Sequence, residues 1–317
     1  MASSSALVTG GAGFIGSHLV DRLLDLGWEV SVVDNLSSGR REWLQPHVGE
    51  RGFRFLEGDI NDSRVVSHGL EGVEHVFHMA ADPLIRGGFD DEQTRYSPLR
   101  NNILGTHALL EEMVRSGTAR ITFSSSSVVY GEAHVVPTPE SYGPSAPISI
   151  YGASKLAGEG LVTAYSHGMG LTYWIFRFAN VVGTRAQQGV ICDFIAKLRK
   201  DPKVLEILGD GRQEKCYIHV RDCVDAMLFC VERSENQIVN LGTETPLSVK
   251  RVAEIVIEGM GLHGTKLTYT GGERGWRGDL PRTYLDTRKL RGLGFRAKRD
   301  SEEAVGSAVV ELLGGRG

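Results

Sequence analysis

The stretch Val8-Thr9-Gly10-Gly11-Ala12-Gly13-Phe14-Ile15-Gly16 limits most sharply what this chain can fold into. A short apolar run, Ala6-Leu7-Val8, leads into it, and an amphipathic run from Ile15 to Leu26 leads out. The pattern reads as strand, glycine turn, helix. Gly11, Gly13 and Gly16 satisfy G-x-G-x-x-G, and Gly10 adds a further glycine. Glycines allow a tight turn and let the backbone approach a ligand without a Cβ in the way. The helix that follows offers free N–H groups and the positive end of its dipole to a pyrophosphate. Gly10, Gly13, Phe14, Ile15 and Gly16 are therefore candidate contacts to a dinucleotide. The flanking strand and helix supply the context that a bare glycine triplet lacks.

The chain then repeats the theme. Glu29–Asp34 reads as a second strand ending in an acid, 18 residues after Gly16. That is near the spacing of the carboxylate that holds the adenosine ribose in dinucleotide-binding folds. Asp34 would repel a 2′-phosphate, which favours NAD over NADP, although Arg40 and Arg41 follow and could argue the other way. Phe53–Leu56, His75–Met79, Arg120–Phe123 and Tyr173–Phe176 read as further strands, with helices expected over Ser63–Leu70 and Tyr96–Val114. Small residues at Ala80 and Ala81 would let a cofactor lie against a strand end. Alternating strands and helices imply an α/β, Rossmann-type, doubly wound parallel sheet. Beyond about Asn180 the alternation weakens, and glycine and arginine cluster at Gly271–Gly278. We expect a cofactor domain over residues 1–179 and a smaller C-terminal substrate domain over 180–317, with segments near 216–241 returning to the first.

The 317 residues are 41% hydrophobic and carry a net charge of −4, which gives no support for nucleic acid as a partner. No apolar run approaches the length needed to cross a membrane. The first strand starts too early to leave room for a signal peptide, so a cytoplasmic place is expected. Cys192, Cys216, Cys223 and Cys230 lack C-x-x-C spacing and read as reduced thiols, with no metal site expected.

Tyr151-Gly152-Ala153-Ser154-Lys155 carries candidate chemistry. On a helix, Tyr151 and Lys155 share one face. An ammonium beside a phenol lowers its pKa, a bound nicotinamide cation would lower it further, and a phenolate near neutral pH is a competent base for an alcohol losing hydride. The serine run Ser124 to Ser127 closes the fifth strand.

These residues carry a family resemblance. Thr9–Gly16, Val33-Asp34-Asn35, Gly58-Asp59-Ile60, His78–Ala81, Asn102–Thr106, Ser124–Gly131, Tyr151–Lys155, Arg177–Asn180, Tyr217–Asp222 and Gly278–Pro281 together span nearly the whole chain. The chain resembles the extended short-chain dehydrogenase/reductase family, and within it the UDP-glucose (UDP-galactose) 4-epimerases. The resemblance implies NAD as cofactor, a UDP-sugar as substrate and a homodimer formed through helices near Asn102–Val114 and Tyr151–Ala164. It implies Tyr151 as base, Lys155 as its partner and ribose contact, and Ser126 as the hydroxyl on the reacting oxygen. It places Asp34, Asn35, Asp59, Ile60, Ala80, Ala81, Asn102, Ser124 and Phe178 along the cofactor, and Asn180 toward the sugar diphosphate. Where the family commonly has Arg-Asp before Tyr-Ile-His-Val, this chain has Lys215-Cys216. Lysine supplies a point charge rather than a bidentate fork, so the diphosphate contact could be shared with Arg212. The family's later diphosphate arginine corresponds to Arg274 or Arg277, with Arg274 preferred. Thr283 stands where the family gates its sugar pocket.

Four functions compete. A 4,6-dehydratase of this family needs an Asp-Glu pair directly after the catalytic hydroxyl, where this chain has Ser127 and Val128. A non-catalytic cofactor sensor would be expected to lose Tyr151 or Lys155. A reductase with exchangeable cofactor and a 4-epimerase retain both, and the resemblance favours the epimerase.

Overall fold

The computed structural model describes residues 4–84, 86 and 89–314. Six strands open the chain: β1 (Ser5–Thr9), β2 (Glu29–Asp34), β3 (Phe53–Glu57), β4 (His75–His78), β5 (Arg120–Ser126) and β6 (Thr172–Phe178). With Gln237–Leu241 they form a seven-stranded sheet in the order Gln237–Leu241, β6, β5, β4, β1, β2, β3. The ladders joining β3, β2, β1, β4 and β5 are all parallel. Ala6–Thr9 and Val30–Asp34 are buried without interruption, as expected of strands covered by helices on both faces. The strand order reverses between β1 and β4, and such a switch point opens a crevice at the carboxyl ends of the strands.

The helices α1 (Phe14–Asp25), α2 (Ser63–Gly69), α3 (Glu92–Pro98), α4 (Gly105–Ser116) and α5 (Ile150–Met169) accompany these strands. Instead of one regular helix over Tyr96–Val114, a π-helix over Leu99–Leu104 joins α3 to α4. Pro98 ends α3 without an N–H to donate, and the wider π turn follows it. α5 starts cleanly because the Ser149 side chain accepts from Gly152 N at 3.0 Å. Such a cap contributes about 1 kcal/mol and sets Tyr151 in the first turn.

Two compact units emerge. The first holds the described residues of Met1–Val129, Ser149–Phe176 and Cys230–Ile238; the second holds those of Tyr130–Ile148, Arg177–Phe229 and Val239–Gly317. Of the segments near 216–241, Cys230–Ile238 joins the first unit, but Cys216–Val220 does not. The reason is strand pairing: Tyr217–His219 pairs in parallel with Asn180–Val182 in a separate two-stranded sheet. Leu7, Val76, Leu109, Leu110, Ile121 and Phe123 form part of the first unit's core, and Phe194, Leu205, Val252, Val256 and Val305 part of the second's. Among the described residues no helix is long and apolar enough to cross a membrane, and no group of three His, Cys, Asp or Glu side chains could hold a metal ion.

Candidate active site

The glycine turn packs against the end of β4. Gly10 has φ +70°, and a Cβ there would lie 2.6 Å from Ala80 N. A Cβ at Gly16 would meet Gly10 O at 2.1 Å, so Gly16 serves close packing of helix on turn. At Gly13 a Cβ would meet only Gly10 O, at 3.1 Å, with nothing else within 4 Å. Gly13 also caps α1, whose first turn has no capping side chain and no acid. The amides of that turn are thus presented to an anion by backbone alone.

Asp34 ends β2 beside this turn. Its Oδ2 accepts from Ala12 N at 2.9 Å and its Oδ1 from Leu36 N at 2.8 Å. Burial raises its pKa, and the two amide bonds pull the other way. A carboxylate has further lone pairs for ribose hydroxyls. Asn35 spends its side-chain oxygen on Ser37 N. Burial would raise the pKa of Asp59, but the amides of Asn61 and the guanidinium of Arg100 outweigh it and hold the carboxyl below its usual range. Ile60 is buried against Gly105.

Asn102 turns out to be a hub. It lies on the π-helix and is 2% exposed. Its Oδ1 accepts from Asp82 N at 2.6 Å, while its Nδ2 donates to Asp82 O and to Ser154 Oγ, at 3.2 and 2.9 Å. Both amide donors are therefore used on protein, pinning the segment after Ala80 and Ala81 to the start of α5. Phe178 is buried at the end of β6.

The serine run meets α5 residue by residue. Ser124 O accepts from Lys155 Nζ at 2.7 Å, and Ser124 Oγ donates to His78 O at 3.0 Å. Ser125 Oγ donates to Glu159. The Ser126 hydroxyl, which accepts from Val128 N at 3.4 Å, favours the ionised form of the Tyr151 hydroxyl. Lys155 Nζ lies 5.9 Å from the Tyr151 ring centroid and 5.0 Å from that of Phe123. The expected lowering of the phenol pKa is absent from the protein alone. Burial pushes Tyr151 up to about 12, the Asp82 carboxylate adds to this, and the Ser126 hydroxyl opposes it. The ammonium is directed at a backbone carbonyl, so a phenolate at neutral pH needs a further positive charge. Burial also pulls Lys155 down to about 7, against the attraction of Glu159.

A second cluster lies within the second unit. Asn180 N and Nδ2 both donate to Cys216 O, at 3.1 and 3.2 Å, and Cys216 N donates to Thr283 O at 3.1 Å. Thr283 stands opposite Lys215 in a parallel pair. Lys215 Nζ donates to Asp279 Oδ1 at 2.6 Å and lies 5.7 Å from the Trp276 ring centroid. Arg274 donates to Asp279 O at 2.7 Å and pairs with Glu132. Asn180, Lys215, Arg274 and Thr283 are thus brought together, with Arg274 and Lys215 both bound to Asp279. Arg212 is exposed. Sequence reasoning missed Asp82, Asp279 and Glu159. Only Glu159 carried a usable signal, one helical turn beyond Lys155.

A glycine turn at a sheet's switch point, followed on a later helix by a phenol and a buried ammonium one turn apart, defines a dinucleotide-dependent α/β enzyme. The model of the NAD dependent epimerase/dehydratase family matches residues 6–242, and the chain belongs to that family. Its cofactor is NAD. The chain is 36% identical over 278 residues to the UDP-glucose 4-epimerase of Streptomyces lividans, covering 80% of each. The Thermus thermophilus UDP-glucose 4-epimerase, solved in complex with NAD, is 31% identical, with a TM-score of 0.86 over 98% of this chain and 99% of that one. The UDP-N-acetylglucosamine 4-epimerase of Methanobrevibacter ruminantium, solved with UDP-N-acetylmuramic acid, is 29% identical, with a TM-score of 0.88 over 99% of both.

Proposed function

We propose that this chain interconverts UDP-glucose and UDP-galactose by inverting the sugar at C4. The observation that carries the reading is the pairing of Tyr151 with Ser126, with Lys155 one turn further along α5. The glycine cradle and the uncapped amides of α1 suit a pyrophosphate, and Asp34 suits an unphosphorylated ribose. Gly10, Gly13, Phe14, Ile15, Gly16 and Asp34 would hold the adenosine diphosphate half of NAD, and Lys155 its nicotinamide ribose.

When bound, NAD supplies a reversible hydride acceptor and, in its oxidised form, positive charge. Such a charge beside Tyr151 would offset the burial that holds the phenol protonated. Tyr151 takes the proton of the C4 hydroxyl, with Ser126 bonding the same oxygen. C4 loses hydride with it and becomes a ketone. Inversion requires the ketone to offer its other face, so the fixed hold must fall on the nucleotide rather than the sugar. Lys215 and Arg274 supply two cations for the diphosphate, which would exchange part of their hold on Asp279 for it. Tyr151 then returns its proton to the oxygen as hydride returns to C4. Ser127 and Val128 offer no acid or base for the further proton transfers of a dehydratase.

Hydride leaves and returns within one turnover, so the cofactor need not exchange. NAD should copurify with the protein, and UDP-glucose and UDP-galactose should interconvert with none added. Chromatography of the acid-quenched protein and of the sugar nucleotides checks both. A protein that purifies without cofactor and consumes NADPH stoichiometrically is a reductase instead.

The same reading makes the protein a homodimer. Tyr96 on α3, Leu99 and Leu104 on the π-helix and Val114 on α4 expose 53%, 41%, 54% and 40% of their surface, large apolar side chains that a partner would cover. Sedimentation at micromolar concentration should give twice the 34.6 kDa chain mass; a monomer there contradicts the assembly.

A further inference from the structure

Three consecutive serines at the end of β5 meet three residues spaced by four on α5. Ser124 holds Lys155 and Ser125 holds Glu159, while Ser126 favours ionisation of Tyr151. The roles proposed above use the first and third pairs and leave the second unexplained. Glu159 is 4% exposed and Lys155 2%. An ionisable group buried to that degree is costly unless another group compensates it.

We propose that Glu159, held by Ser125, is a positioning residue that keeps the Lys155 ammonium charged inside the protein. It touches neither cofactor nor sugar and acts through Lys155. The i,i+4 spacing on α5 sets the carboxylate on the same face as the ammonium. The remaining surroundings offer little compensation. From β5, Lys155 Nζ meets the Ser124 carbonyl at 2.7 Å, the Ser124 hydroxyl at 3.4 Å and the face of Phe123, and on its own helix the Tyr151 ring, all of them neutral groups. From β4, His78 lies close but is neutral, pushed down to about 3 by burial and then by Lys155 itself. Asp82, from the segment after β4, acts on Tyr151, raising the phenol. Glu159 is the group whose charge favours protonated Lys155, against the burial that brings it down to about 7.

The inference rests on the roles given to Tyr151 and Lys155, so its first test needs no turnover. The variant is Glu159→Gln, which keeps shape and an oxygen for Ser125 but removes the charge. The sign follows from linkage. The folded pKa of Lys155 is depressed from its ordinary value, 10.5, so the cost of burying its charge is full below the folded pKa and fades as pH rises toward the unfolded one. Without Glu159 the folded pKa falls by about one unit or more. The extra cost is felt where the variant's Lys155 is still charged and vanishes once Lys155 is neutral in both proteins. In cofactor-stripped protein, the melting temperature of the parent should exceed that of Glu159→Gln most near pH 6, with the gap closing above about pH 8. A gap that does not change with pH means that Glu159 only packs, and overturns the proposal.

The second test is catalytic. The alkaline limb of kcat should move down by about one pH unit in Glu159→Gln, with KM for UDP-glucose unchanged. A limb that stays in place also overturns the proposal. If Glu159→Gln does not fold, Ser125→Ala removes the donor and leaves both charges. It should move melting gap and limb in the same direction by less, and no pH-dependent change there overturns the proposal. A parent without epimerase activity but with the pH-dependent gap would sink the functional reading and leave the charge coupling of Glu159 to Lys155 standing.

Discussion

Tyr151→Phe is expected to lower kcat for UDP-glucose interconversion by about 10²–10⁴-fold, the usual contribution of a general acid–base group. The substitution removes one oxygen and keeps the ring beside Lys155. It removes the partner of Ser126 but opens no cavity, so the fold should persist. The effect should fall on kcat because the hydroxyl acts on a proton that moves only during reaction. Bound NAD should be retained, since the glycine cradle and Asp34 lie elsewhere in the first unit. Three measurements check this together: turnover, cofactor content after purification, and melting temperature. Near-normal turnover would remove Tyr151 from the proposed chemistry. Turnover lost together with cofactor and stability would show a structural role instead.

The second large effect concerns which sugar is accepted. We expect the parent to turn over UDP-N-acetylglucosamine as well as UDP-glucose, and Thr283→Tyr to lose the N-acetylated substrate selectively. Thr283 is buried, and its neighbour Tyr284 turns its hydroxyl to Glu244 O at 2.7 Å. Successive residues of an extended strand point to opposite faces, so the pair presents threonine on one side and the phenol on the other. Thr283 shares its register with Lys215 and its carbonyl with Cys216 N, beside the two cations proposed for the diphosphate. A phenol ring there fills the space that a 2-acetamido group needs when the keto-sugar turns over. Overpacking of about 1–3 kcal/mol corresponds to roughly 5–150-fold. UDP-glucose, lacking the acetamido group, should keep most of its rate. The comparison of both sugars in parent and variant decides it. A parent inactive on the N-acetylated sugar, or a variant that treats both sugars as the parent does, removes Thr283 from the gate.

Local pattern determined the parts of this protein that depend on neighbours in sequence. Strand, glycine turn and helix follow one another within the first 26 residues, and the steric demand on Gly16 comes from within that turn. Asp34 ends β2 because an apolar run stops there. Tyr151 and Lys155 share a face because helical spacing makes them share it. These features are short-range, so their geometry is written in residue order.

The tertiary structure decided whatever depends on which distant groups arrive, and on how much water they exclude. Periodicity read one helix where Pro98 and the π turn break it, and Asn102 became a hub only because Asp82 and Ser154 come to it from far along the chain. Asp279 gathers Arg274 on its backbone carbonyl and Lys215 on its carboxylate, a meeting of residues 64 positions apart that residue order does not show. Tyr217–His219 went to Asn180–Val182 because pairing, not apolar content, assigns a strand to its sheet. Proximity along α5 suggested an acidified phenol, yet burial outweighed it and held Tyr151 near 12. Charge interactions and desolvation act through space, so the chain had to fold before their balance existed.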